Sequence, residues 1–103
     1  MYKLCFFVPE SHLESVKEAV FMAGAGKFGN YDMCSWQTKG EGQFRALAGS
    51  SPFAGQIGEL ERLPEYKVEI MCADEFVAVA VAAMKAAHPY EEPAYDVFKL
   101  AEI

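Results

Sequence analysis

The chain has 103 residues, 52% of them hydrophobic, with 15 Asp+Glu against nine Lys+Arg and a formal net charge of −6. This length gives a single domain, 1–103, with a modest core, and the hydrophobic content excludes a disordered chain. The acidic balance excludes a surface built for nucleic acid or for anionic lipid.

Tyr2, Leu4, Phe6 and Val8 alternate with Lys3, Cys5 and Phe7, the period of a β-strand. Ser11 followed by Glu14 has the spacing of a capping box, and Leu13, Val16, Val20 and Ala23 form one apolar stripe of a helix. Gly24 and Gly26 end it. Residues 30–38 and 42–47 read as two strands, with residues 39–42, "KGEG", closing a hairpin between them. The turn-rich stretch 49–65 predicts a loop of roughly fifteen residues, with a short edge strand near Ile57 to Leu60. Tyr66, Val68, Ile70 and Cys72 alternate with Lys67, Glu69 and Met71 as another strand. Residues 74–88, capped by Asp74 and stopped by Pro89, predict a second helix. It is apolar nearly all round, so more than the sheet is expected to bury it. Residues 94–100 close the chain as a strand.

The order is read as βαββαβ, an α+β ferredoxin-like arrangement with a four-stranded antiparallel sheet and two helices on one face. The opposite face of a lone domain should be polar. Here Cys5 and Phe7 oppose Leu4 and Phe6, and Cys34 and Trp36 oppose Met33. Exposed aromatic area of that kind drives self-association, so an oligomer built on the open face is expected.

No apolar run reaches membrane-spanning length, and Met1 leads almost directly into a strand pattern, so a cytoplasmic protein without a membrane anchor is expected. Cys5, Cys34 and Cys72 are odd in number and lack C-x-x-C spacing, and read as free thiols.

The segment "HPYEEP", residues 88–93, concentrates chemistry-bearing side chains between helix and strand. Its structural reading is a corner: Pro89 forces His88 out of helical geometry, an imidazolium suits a helix C-terminus, and Pro93 leads into the strand. Its functional reading takes His88 and Glu91 as ligands of a divalent metal ion, with Tyr90 and Glu92 beside them, or the group as a small acid/base cluster. The structural reading is favoured. The turn "GAGKFGN", residues 24–30, fails as a phosphate loop because Phe28 stands where a hydroxyl is required, and it follows a helix instead of opening one. Lys27 and Asn30 remain as groups that would contact a ligand between subunits. His12 reads as solvent-facing, no serine lies in a G-x-S-x-G elbow, and residues 49–55 read as a surface loop in preference to a pocket wall.

Four blocks, 24–36, 40–47, 51–62 and 86–100, carry a resemblance to the YqfO-type NGG-interacting-factor family. Across most of its length the chain looks like the PII/CutA-like domain that many members carry as an insertion, here standing alone. "HPYEEP" also resembles the HPYE-x-P corner of the CutA proteins. The resemblance implies a homotrimer with facing sheets. It does not import an activity, since the family's dinuclear metal site belongs to a larger, separate domain that two histidines cannot supply. "KGEG" is also too short for the long loop of PII signalling proteins, which argues against ATP sensing of that kind. The expectation is a non-catalytic trimeric module that binds a divalent metal ion or small ligand in inter-subunit clefts. A purely structural trimerisation unit is the alternative, and a metal-dependent hydrolase a more distant one.

Overall fold

The computed structural model describes all 103 residues. Four strands, β1 (Tyr2–Pro9), β2 (Trp36–Arg45), β3 (Leu60–Cys72) and β4 (Tyr95–Lys99), and two helices, α1 (Leu13–Met22) and α2 (Val77–Ala87), alternate as βαββαβ. The sheet order is β2-β3-β1-β4 and every neighbouring pair is antiparallel. This is the expected ferredoxin-like α+β arrangement. Leu4, Phe6 and Val8 of β1 and Val68, Ile70 and Cys72 of β3 share one face of the sheet. They form the buried core with Leu13, Val16 and Val20 of α1 and Ala80 and Met84 of α2.

Residues 39–42 are not a hairpin. They lie inside β2, with Gly40 opposite Glu65 and Gly42 opposite Leu63, and neither glycine has the positive φ of a tight turn. Gly42 instead leaves room: a Cβ there would meet the carboxylate of Glu65. Glycine inside a strand often marks such close approach. With the false turn removed, residues 46–59 connect β2 to β3; of the edge strand expected near Ile57 to Leu60 only Leu60 is strand, as the first residue of the 13-residue β3.

The helix starts also differ from expectation. Short 3-10 turns, Glu10–His12 and Asp74–Phe76, precede the two helices, and no side chain caps either one. The extra turn sets Ser11 and Asp74 too early to reach the first helical N–H groups; Ser11 Oγ bonds the Nδ1 of His12 at 2.8 Å instead. Gly24 and Gly26 end α1 with φ of 112° and 83°, as glycine allows.

Beyond Pro9, which pairs with Glu65, β1 stops, while β3 and β2 continue together to Leu60 and Arg45. The result is a two-stranded arm and an elongated molecule of 46 × 26 × 24 Å. The face opposite the helices is more mixed than the sequence suggests. Met33 and Cys34 precede β2 and belong to no strand, and a row of Glu65, Lys67 and Glu69 runs beside Cys5 and Phe7. Lys3 pairs with Glu69 at 3.8 Å, while Trp36 and Phe98 stand exposed at the flanks.

Only Ala80 and Met84 of α2 are buried; its outer side, including Ala78, Val79 and Ala82, faces solvent. As expected, more than the sheet covers this helix, since α1 packs beside it, but the outer side stays open within one chain. Met84→Ala is expected to cost about 2–5 kcal/mol through the cavity it leaves. Val79→Ser, at a side chain 53% exposed, is expected to stay within about 0.5 kcal/mol. Urea denaturation of both variants measures the contrast.

Candidate functional site

The turn from α2 into β4 is held by one histidine. His88 has extended backbone (φ −75°, ψ 137°), as a residue before proline should, and is 7% exposed. Its Nδ1 lies 3.1 Å from the backbone N–H of Tyr90, which can only donate, so Nδ1 accepts. Nε2 therefore carries the proton and donates to the carbonyl oxygen of Phe7 at 2.7 Å. The ring is neutral. Burial is the main cause that holds its pKa below the usual histidine value; the Phe7 bond and Glu65 oppose this, and His12 adds to it. The imidazolium expected at the helix C-terminus is not the form this geometry selects.

These bonds decide the metal reading. Both ring nitrogens are used by backbone groups, so His88 has no lone pair left for an ion. Glu91 accepts from the backbone N–H of Ser51 at 3.0 Å, and no group of three His, Cys, Asp or Glu side chains converges anywhere in the chain. The residues present do not fit a metal ion held by His88 and Glu91.

What the corner does build is a wall. The Tyr90 hydroxyl donates to Glu65 of β3 at 2.6 Å, and burial together with that bond raises the phenol pKa well above its ordinary value. Glu65 reaches Tyr90 across the space that Gly42 leaves empty. The ring of Tyr90 lies 6.4 Å from Phe44 of β2 and 6.0 Å from Phe53 of the loop after it, tilted 55° and 52°. Phe53 in turn stands edge-on to His12 at 5.3 Å. Corner, arm and loop enclose a cleft of about 670 Å³, within the size range of small-molecule sites. Glu41, Glu65, Glu91 and Glu92 line it with a single guanidinium, Arg45.

Of the sequence-predicted site residues, the structure brings Tyr90, Glu91 and Glu92 to this cleft and turns His88 into its anchor. Lys27 and Asn30 lie elsewhere. Their turn is tied to Met71 through Gly26 N–H at 2.8 Å, while the corner is tied to Phe7. Met71 pairs with Lys3, four residues and roughly 13 Å along β1 from Phe7. Within one chain the two do not meet. Sequence reasoning missed Phe44, Phe53 and Glu65. The one signal was the segment 49–55, read as a surface loop, whose Ser50, Pro52 and Phe53 line the cleft.

The chain is 49% identical over 98 residues to the GTP cyclohydrolase 1 type 2 homolog of Mycobacterium tuberculosis, covering 95% of this chain and 26% of that protein. The homologs of the same name from Halalkalibacterium halodurans and Bacillus subtilis are 46% and 40% identical over 101 and 96 residues. They cover 98% and 93% of this chain, which matches 27% and 26% of them. Among solved structures, a Bacillus cereus protein related to NIF3 superposes with a TM-score of 0.83 at 39% identity, over 98% of this chain and 26% of that one. The periplasmic divalent cation tolerance protein CutA of Archaeoglobus fulgidus gives 0.69 at 15% identity, over 99% and 86% of the two chains. No family model matches the chain. The chain thus spans about a quarter of the length of the curated relatives it matches, and its fold is CutA-like.

Protonating His88 removes the acceptor for Tyr90 N–H, so the corner should stabilise the fold in a pH-dependent way. Above about pH 6.5, the ordinary histidine value, folded and unfolded chains both carry it neutral and its contribution is complete. As pH falls below that value the unfolded chain takes up the proton first, and stability is lost until the lower folded pKa is passed. Urea midpoints measured from pH 8 to pH 4 (roughly the range histidine spans in proteins) should fall in this window. A His88→Asn variant should start less stable and respond more weakly. An equal response in both proteins would remove His88 as the cause.

Proposed function

We propose that this chain is the PII/CutA-like unit of the YqfO-type family and works as a non-catalytic homotrimeric binding module, taking a small ligand in the cleft walled by Phe44, Phe53 and Tyr90. The observation that carries the reading is the arm. Residues Glu41–Arg45 and Leu60–Pro64 pair with each other and with no third strand, and two-stranded ribbons are marginal in water by themselves. Leu47, Ile57 and Leu60, at and beyond the arm's end, are each more than half exposed. An arm of this kind gains stability by lying against neighbouring copies, which bury its apolar side chains at about 25 cal/mol per Å². Trp36 and Phe98 on the open face supply further area for the same assembly.

The name GTP cyclohydrolase 1 type 2 homolog is carried by proteins of which this chain matches about a quarter. Within this chain the corner histidine and two of the three thiols are otherwise engaged. His88 is held by two backbone bonds. Cys5 and Cys72 are buried, and that burial raises both thiol pKa values, which disfavours the thiolate. A cleft with aromatic walls and fixed carboxylates is suited to holding a ligand, not to transforming one.

Light scattering of the pure chain should give three times 11.4 kDa at micromolar concentration. A double substitution Ile57→Lys and Leu60→Lys should shift the particle to monomer while the helical circular dichroism is retained. A wild-type particle that stays at the single-chain mass would rule out the trimer.

A further inference from the structure

We propose that the cleft is selective for a small organic cation, an alkyl amine with an apolar body; this rests on the binding-module reading above. Three independent features converge. The first is shape: an open cleft of about 670 Å³ has room for a flexible chain. The second is its wall, where Tyr90 packs against Phe44 and Phe53 with centroids 6.4 and 6.0 Å apart, and all three residues line the cleft. The negative faces of aromatic rings attract ammonium groups within about 6 Å, most strongly when desolvated.

The third is charge. The lining holds four carboxylates against one guanidinium, and the nearby lysines, Lys39 and Lys67, line the adjoining groove with Glu69. Lys39 is also paired with Glu10 at 3.9 Å. Two of the four carboxylates are held by hydrogen bonds, Glu65 by Tyr90 and Glu91 by Ser51. Glu41 stands 4.0 Å from Arg62, and Glu92 has no hydrogen-bond or ion-pair partner within the chain. An anion entering here would meet net negative charge. An amine would meet two pre-positioned carboxylates, a free one at the rim, and ring faces for its methylenes.

The test titrates the assembled protein, followed by aromatic and methyl NMR shifts and by calorimetry, with spermidine in one arm and inorganic pyrophosphate in the other, at low and at physiological salt. The expected result is saturable spermidine binding with shifts confined to Phe44, Phe53 and Tyr90. Affinity should fall about tenfold in Glu92→Gln and again in Phe53→Ala. Glu92 and Phe53 are exposed, so neither variant threatens the fold. Spermidine binding that is unchanged in both variants is a diffuse counter-ion effect on an acidic chain and overturns the proposal. Pyrophosphate shifting these rings where spermidine does not overturns the cation selectivity and leaves the binding module standing. Shifts at the cleft from neither probe, in a particle of confirmed trimeric mass, overturn the cation site, whereas a monomeric particle overturns the module reading first.

Discussion

A buried histidine that spends both nitrogens on main-chain groups is the constraint from which the functional end of this molecule follows. Helix α2 cannot continue through Pro89, and the chain must cross the end of β1 before β4 begins. Without a fixed point that crossing would be a loose loop. His88 supplies the point by joining Phe7 carbonyl to Tyr90 N–H, two groups that would otherwise lie poorly satisfied in a half-buried corner. Tyr90 is thereby aimed at Glu65, and the Tyr90–Glu65 bond ties the corner to the base of the arm. Three segments distant in sequence become one wall through two side chains.

Much of the scaffold is written locally. The period-2 alternation of β1 and of the second half of β3, the apolar stripe of α1 and the glycines after it all report elements whose burial matches their pattern. The errors came where local signals compete with pairing. "KGEG" has the composition of a turn, and only the register against β3 reveals that Gly42 is there to admit Glu65. Ser11 and Asp74 have the chemistry of caps, but 3-10 turns displace them from the helices they precede. Helix α2 is apolar on faces that one chain does not bury, so its composition overstates its burial within the chain.

The site was legible as a cluster and not as a geometry. His88, Tyr90, Glu91 and Glu92 stand within five residues, and nothing in that spacing says which are structural. The decision rests on a tautomer, which depends on a carbonyl 81 residues away. Phe44 and Phe53 gave no signal because an aromatic in a strand or loop is ordinary core material by pattern. Their role appears only when the 46–59 connection folds back over the arm towards the corner. Lys27 and Asn30, expected to contact a ligand between subunits, lie in a turn that one chain sets apart from the corner.

The cleft and the arm share a border, so the binding and the assembly proposed above would be coupled. Phe44 belongs to the ribbon that leaves the sheet, Glu65 stands at its base opposite Pro9, and both line the cavity. A ribbon paired on one side only samples frayed conformations more readily than the strands beside β1. Each such excursion takes Phe44 away from Tyr90 and Phe53. Neighbouring copies that seat the arm would suppress those excursions without touching the ligand. A ligand gripping Phe44 and Glu65 would in turn restrict the arm and favour its seating, because linkage is reciprocal. The single interaction common to both directions is the Tyr90–Glu65 bond, which spans from the histidine-anchored corner to the base of the arm. On the proposed reading, occupancy would be reported as a change in subunit affinity, with no moving lid required.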